Sequence, residues 1–240
     1  MSAESRLDQK VCSGEHFFQR VNDALSSTST RIISFVNPFS YAELLKQPEL
    51  IDAIDDYFAD GALLVRLHSM FVQPITRASF DFSSIADDFF LLLAHRKFSL
   101  AVIGAKDEEL KKAVDTLIQK YPKLNISYSR DGYIGQSSEV LNELNRVAPN
   151  VVLLGMGTPH QENFAVKLKK SLDNPTLVIT CGGFLTQTSI RADYYHPLIK
   201  KTGLRWLQRM IMHQHVRSRV FNDYPRFVFA YVKSHLRRKK

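Results

Sequence analysis

From Phe98 onward the hydrophobic and polar positions fall into alternating blocks. Short apolar or alternating runs at Phe98–Ile103, Asn125–Ser129, Val151–Leu154 and Thr176–Thr180 are separated by longer segments, Asp107–Tyr121, Ser137–Val147 and Pro159–Leu172. The short runs predict strands, and the longer segments, whose apolar residues recur at helical spacing, predict helices. Strands joined by helices of this length call for parallel pairing, with helices covering both faces of the sheet. Upstream the pattern is less regular. Glu15–Leu25 has helical spacing, Ile32–Val36 reads as a strand ending on Asn37-Pro38, and the apolar positions from Tyr41 through Tyr57 and Phe58 suggest one or two short helices reaching Asp60-Gly61. Ala62–Val65 then reads as a strand and Ile85–Ala94 as a helix with a broad apolar face. The expected fold is α/β, a mostly parallel sheet with helices on both faces. Such sheets bind ligands at the carboxyl ends of their strands. Those ends are Asn37, Gly104, Asp131, the Gly155–Gln161 turn and Cys181-Gly-Gly183.

Beyond Gly203 the pattern changes. Leu204, Leu207, Met210, Ile211 and Val220 are interleaved with Arg205, Arg209, Arg217 and Arg219, an amphipathic and strongly basic helix; Pro225 is expected to break it before Phe227–Val232 and the closing Arg237–Lys240. Charge sharpens this division. The chain of 240 residues carries a net +8, but Met1–Pro197 holds 20 Lys and Arg against 23 Asp and Glu, whereas Leu198–Lys240 holds 12 basic residues and the single acid Asp223. The reading is therefore a catalytic-sized body over 1–197 and a basic appendage over 198–240, which should meet phosphate on a lipid surface, a nucleic acid or a substrate. An apolar face beside a polybasic patch suits an anionic membrane surface. The plainer alternative docks the helix on the body through its Leu, Met and Trp face, and the same face would serve a subunit interface in a homo-oligomer.

Composition adds exclusions. At 45% hydrophobic residues the chain is ordinary for a globular protein. The two cysteines, Cys12 and Cys181, lie far apart without metal-ligand spacing, which favours a reducing compartment; Cys181 is expected to end a buried strand. The absence of a signal-like run or a long apolar segment predicts a protein neither exported nor membrane-spanning.

The chemistry centres on Gly155-Met-Gly-Thr-Pro-His-Gln-Glu162. Gly155 and Gly157 form a tight turn after a buried strand, Pro159 starts the next helix, and Gln161 and Glu162 stand at its positively polarised N-terminus, a place where anions collect. An ordinary strand-to-helix turn is the competing reading of those glycines. No Asp-x-Asp pair, Walker phosphate loop, complete Gly-x-Gly-x-x-Gly, His-Glu-x-x-His or Gly-x-Ser-x-Gly occurs, so the expectation is a reaction with no metal and no cofactor, or no reaction. Asp60 and Asp131, each followed by Gly, are carboxylates at predicted strand ends, although Asp-Gly is also a common turn dipeptide. His160 reads as a surface polar group.

Gly155–Glu162, preceded by Ala148-Pro-Asn-Val-Val-Leu-Leu154, resembles the Pro-Asp-hydrophobic-Gly-x-Gly-x-Pro-x-Gln-Glu signature of the WecG/TagA/CpsF glycosyltransferases. Val36-Asn-Pro38, Asp60-Gly61, Arg77, Val102–Ala105, Arg130–Tyr133, Gly182–Phe184, Arg191-Ala192 and Gly203–Arg209 fall in the family's order, so that the resemblance runs from Ile32 to Arg219. The chain departs from it at Phe35, where Thr is common, at Ala59 before Asp60, at Asn150 and at Phe184-Leu185. The resemblance implies a Rossmann-like catalytic body with a C-terminal appendage that completes the site, and a bacterial inverting transferase that moves a sugar from a UDP-sugar to a polyprenyl-diphosphate-linked saccharide in surface-polysaccharide synthesis (capsule, exopolysaccharide, teichoic acid or common antigen), peripherally on the cytoplasmic face of the cell membrane. It implies Asp60 as the base, Asn37 and Arg77 as pocket residues, and Gln161 as a donor contact beside Gly155, Gly157 and Glu162. Arg209 and Arg217 become the cations that stabilise departing UDP, with the helix N-terminus secondary to them. A nucleic-acid-binding protein using the basic tail is the alternative, and it lacks an accompanying recognition motif; a regulatory protein binding a nucleotide or NAD through the sheet alone is a third reading.

Overall fold

The computed structural model describes residues 1–135, 137–190 and 219–238. Among these residues seven parallel strands form one sheet, and the helices lie on both of its faces. The strands are β1 (Val11–Cys12), β2 (Arg31–Val36), β3 (Asp56–Ala59), β4 (Ser99–Gly104), β5 (Asn125–Arg130), β6 (Val151–Gly155) and β7 (Leu177–Thr180), in the spatial order β1-β3-β2-β7-β6-β4-β5. Central strands covered on both faces cannot alternate apolar with polar. In β6, Val151 and Leu153 enter one core while Val152 and Leu154 enter the other; Leu100 and Val102 of β4 are divided from Ala101 and Ile103 in the same way.

One core packs under α2 (Phe17–Leu25), α6 (Ala86–Arg96), α7 (Asp107–Lys120) and α10 (Phe184–Ile190). The other packs under α1 (Ala3–Lys10), α3 (Pro38–Leu44), α4 (Pro48–Ala53), α5 (Ala62–Phe71), α8 (Ser137–Val147), α9 (His160–Ser171) and α11 (Tyr224–Arg238). Neighbouring strands whose following helices go to opposite faces leave a crevice between their carboxyl ends. Two of the neighbouring pairs that meet this condition bear on the site. After β2 the chain goes to α3 and after β7 to α10, on opposite faces; after β4 it goes to α7 and after β6 to α9, again on opposite faces.

The two crevices differ in access. Between β4 and β6 the backbone closes the gap: Ala105 N–H donates to Gly155 C=O at 3.1 Å and Gly132 N–H to Ala105 C=O at 2.9 Å. Gly104 lies there at φ +150°, and a Cβ on it would stand 2.4 Å from the Gly155 carbonyl oxygen. Between β2 and β7 no such seam forms among the described residues, and the cavity described below opens there.

The structure differs from the sequence expectation in several segments, one of them the unforeseen α10, and four others bear on the fold. Tyr57 and Phe58 lie in strand β3, not in a helix, and Ala62–Val65 begins helix α5, not a strand. Buried Leu64, Leu67 and His68 give α5 its helical stripe. At the amino end, α1 and β1 extend the fold into a segment with no expected element. Near the carboxyl end a π-helical stretch, Arg219–Asp223, runs directly into α11, so Pro225 lies within a continuous helical run and does not break it before Phe227–Val232. Phe227, Tyr231 and His235 of α11 are buried against the body. No helix among the described residues is long and apolar enough to cross a membrane.

Candidate active site

The crevice over β2, β3 and β7 holds a cavity of about 160 Å³. The Asn37 end of β2, the Asp60 end of β3, the Gly157 turn after β6 and the Gly182 turn after β7 line it, with Ser79, Phe80 and Asp81 forming a further wall. Each of the first four follows a buried strand directly, so the sheet fixes where it stands.

Asn37 caps α3. Its Oδ1 accepts from Phe39 N–H at 3.0 Å and Ser40 N–H at 3.1 Å, while Ser40 Oγ accepts from the Asn37 N–H at 2.8 Å, a reciprocal capping box. With Oδ1 used in this way, the amide nitrogen is the part of Asn37 left for a ligand.

Asp60 follows β3 and precedes Gly61, whose φ of +112° turns the chain into α5 without contact around the missing Cβ. That turn needs glycine for its backbone angle. The Asp60 N–H donates to Val36 C=O at 2.7 Å, and Ala78 N–H donates to Ala59 C=O at 3.2 Å. The second bond brings the segment after α5 back beside β3. It thereby carries Arg77 to Asp60: Nη2 donates to Asp60 Oδ1 at 3.2 Å and to Asp81 Oδ2 at 3.1 Å. Burial opposes the Arg77 charge, but the two carboxylates outweigh it and push the guanidinium pKa above its ordinary value. Asp60 is about one-quarter exposed, which leaves its carboxylate open to the cavity.

Gln161 lines the floor as a strut. Its Oε1 accepts from Gly157 N–H at 3.3 Å and from Gly182 N–H at 3.1 Å, tying the β6 turn to the β7 turn, and its Nε2 donates to Glu162 Oε1 at 2.9 Å. Glu162 is fully buried behind it and does not line the cavity. Ser34 and Thr158 hydroxyls also donate to Glu162 Oε1, at 3.2 and 3.1 Å, and Ser34 in turn is 2.9 Å from Thr180 Oγ1. The other oxygen, Oε2, has no partner among the described residues. Burial raises the Glu162 pKa, and the three side-chain donors offset only part of that rise.

Gly155 ends β6 under the turn. A Cβ there would lie 2.9 Å from Leu185 Cδ1 and 3.1 Å from Gly182 C=O, so its role in the fold is close packing of β6 on β7 and α10. Cys181 lines the cavity as a buried thiol whose pKa burial raises. Asp131 closes its own turn by accepting from Tyr133 N–H at 2.8 Å and stands away from the cavity. His160 is exposed at the start of α9, whose cap position carries no side-chain hydrogen bond. Arg209 and Arg217 lie outside the described residues. The structure thus gathers Asn37, Asp60, Gly157 and Gln161 around one space, joins Arg77 to it only through its bonds to Asp60 and Asp81, and leaves Gly155 and Glu162 supporting it from behind. Among the described residues no three His, Cys, Asp or Glu side chains come together as a metal site.

Asp81, with Ser79, Phe80 and Gln187, was not foreseen at this site. These residues sit on an irregular segment and on α10, where periodicity says nothing; the one available signal was an acid four residues after Arg77.

The chain matches the Glycosyl transferase WecG/TagA/CpsF family over residues 6–240. It is 40% identical over 211 residues to a UDP-Gal:alpha-D-GlcNAc-diphosphoundecaprenol beta-1,4-galactosyltransferase of Shigella boydii, covering 86% of this chain and 88% of that protein. An N-acetylglucosaminyldiphosphoundecaprenol N-acetyl-beta-D-mannosaminyltransferase of Bacillus subtilis is 26% identical over 117 residues, 49% of this chain and 45% of its own. The protein of the same description from Staphylococcus aureus strain MW2 is 26% identical over 178 residues, 72% of this chain and 65% of its own.

Proposed function

The chain belongs to the WecG/TagA/CpsF glycosyltransferase family, matched over all but its first five residues, and on that premise we propose that it transfers a sugar from a UDP-sugar to a saccharide carried on diphosphoundecaprenol. The observation that carries this reading is Asp60, the partly exposed carboxylate that opens on the cavity at the β2–β7 crevice. The acceptor hydroxyl gives its proton to the Asp60 carboxylate as its oxygen bonds to the anomeric carbon. On the opposite face of that carbon the bond to the UDP phosphate oxygen breaks, the electron pair leaves with UDP, and the configuration inverts. General base catalysis of this kind contributes roughly 10²–10⁴-fold.

The amide of Asn37 and the turns braced by Gln161 would orient the sugars. Arg209 and Arg217 would meet the charge that develops on the diphosphate, a role that fits a reaction run without metal. The Shigella relative makes UDP-galactose the first donor to try and GlcNAc-diphosphoundecaprenol the first acceptor. Because the matched family and relatives are sugar transferases, the enzyme reading is favoured over a nucleic-acid-binding tail.

Residues 1–197 form the catalytic unit in this reading and 198–240 the basic appendage. α11 supports a peripheral place on the cytoplasmic membrane face: Phe229 and Leu236 are exposed, and Lys233 stands over the Phe229 ring at 5.6 Å. A homo-oligomer would use the same face. The test is UDP release from a panel of UDP-sugars with a GlcNAc-diphosphoundecaprenol acceptor, in the presence of EDTA. One donor, UDP-galactose first, is expected to turn over. Failure of every donor with and without divalent metal, alongside tight and salt-sensitive nucleic-acid binding, would reverse the assignment.

A further inference from the structure

Arg77 spends one nitrogen on two carboxylates. A guanidinium nitrogen carries two N–H groups, so Nη2 can serve Asp60 Oδ1 and Asp81 Oδ2 together, at 3.2 and 3.1 Å. Left to one carboxylate, a guanidinium prefers the fork, two parallel bonds that engage both oxygens. On Asp60 that fork would cover the oxygen needed for a proton and weaken the carboxylate as a base.

Asp81 is built to prevent this. Its carboxylate is almost fully buried and its Oδ1 accepts from Ser83 N–H at 2.8 Å and from the Ser83 hydroxyl. Its backbone carbonyl accepts from Ser84 N–H at 3.0 Å and Ala86 N–H at 3.2 Å, which anchors it to the start of α6. Asp60 is more exposed, and its carboxylate bonds to Arg77 alone among the described residues. The anchored acid therefore sets where the guanidinium points, and the guanidinium sets how far Asp60 is engaged.

We propose that Asp81 is a positioning residue for sugar transfer, which holds Arg77 in a shared geometry so that Asp60 keeps one oxygen free to take the acceptor's proton. This deepens the functional reading above and rests on Asp60 being the base. The local charges give it a sign. Asp60, Arg77 and Asp81 are the charged groups that face one another here; among the described residues Asp60 and Asp81 are the charged side chains that line the cavity, and the Cys181 thiol that lines it with them is kept neutral by burial. Removing the Asp81 charge takes away a like charge from Asp60 and leaves it the whole of Arg77, both of which favour the ionised carboxylate. Removing Arg77 leaves two facing carboxylates without a cation and acts in the opposite direction.

The experiment is the pH profile of kcat/KM for wild type, Asp81→Asn and Arg77→Gln, with UDP affinity measured alongside. Asp81→Asn is expected to move the acid limb down by about half a unit to one unit, to lower kcat several-fold, and to leave UDP affinity within about twofold; Arg77→Gln is expected to move the limb up. If Asp81→Asn does not fold, the comparison passes to Arg77→Gln with and without Asp81→Asn, where the double variant is a neutral pair and its limb should lie below that of Arg77→Gln alone. Coincident acid limbs, with only thermal stability changed, would make Asp81 a brace of the α6 entry and overturn the proposal. Asp60→Asn at the wild-type rate would instead remove the base itself, which separates failure of the functional reading from failure of this one.

Discussion

Glu162 stands behind the cavity with one carboxylate oxygen accepting three hydrogen bonds and the other accepting none among the described residues. Asp60, in front, is partly exposed and bonded through a single oxygen. Burial raises the Glu162 pKa above its ordinary 4.5, and each unit of such a rise is worth about 1.4 kcal/mol. The sign follows from which state holds the proton longer. Below pH 4.5 the carboxyl is protonated folded and unfolded; as pH rises through the raised folded value, the unfolded chain ionises first and stability is lost. Glu162→Gln cannot titrate, so its melting temperature relative to wild type should climb as pH goes from about 4 to about 7. A difference that stays flat over that range would show that Glu162 is not protonated in the fold. Asp60 calls for the opposite behaviour in an assay: Asp60→Asn should lower turnover by about 100-fold or more. Calorimetry should find UDP still bound, since no role in holding the nucleotide is assigned to this side chain.

β4 and β6 meet where glycine lies on both strands. At Gly104, with φ +150°, a side chain is disfavoured by the backbone angle and again by the Gly155 carbonyl 2.4 Å from where its Cβ would be. Gly104→Ala should therefore push the β4 end off β6 and break the Ala105-to-Gly155 hydrogen bond. The expected loss is about 2–4 kcal/mol, read as a shift in urea midpoint; a change below about 0.5 kcal/mol would mean the strands part easily there. The regular half of this sheet was legible from pattern because β4, β5, β6 and β7 each follow a polar break, and β4, β5 and β6 each precede a long amphipathic segment. β3 was not. It has four residues, all buried, and follows α4 closely, so Tyr57 and Phe58 continued the helical spacing before them. At α5 the run Ala62-Leu-Leu-Val65 resembled a buried strand, and only the inward turn of Leu64, Leu67 and His68 reveals the helix. The same reasoning explains the half-seen site. Asn37, Asp60, Gly157 and Gln161 stand at strand ends or in the turn that follows one, where fold class alone directs attention, whereas Asp81 reaches Asp60 through a return of the chain along β3 that no local periodicity encodes.

Asp8 joins the two ends of the chain. This buried carboxylate accepts from the Tyr41 hydroxyl at 2.5 Å, the Tyr231 hydroxyl at 3.3 Å and Arg238 at 3.2 Å, and His235 Nε2 lies 3.0 Å from its second oxygen. A buried charge is tolerated when its lone pairs are met in this way, and breaking such a set is costly. α11 therefore does two things at once. Its inner face, Phe227, Tyr231 and His235, covers Tyr41 and Phe71, while its outer face shows Phe229 and Leu236 beside Lys233 and Arg237. Deleting the appendage would strip the inner face as well and confuse loss of membrane contact with loss of fold. The cleaner test changes only the outer face, with Phe229→Ser, Leu236→Ser, Lys233→Glu and Arg237→Glu combined. Each basic residue near an anionic surface is worth about 1 kcal/mol, and surface substitutions away from packed groups cost within about 0.5 kcal/mol each. The combined variant should fall off vesicles containing anionic lipid, keep its circular dichroism spectrum, and still turn over a water-soluble acceptor analogue. Wild-type binding should weaken as salt rises, because part of it is screened charge. Vesicle binding that survives all four substitutions would move the membrane contact off α11, and a change in sedimentation mass without any change in vesicle binding would make this face a contact between subunits.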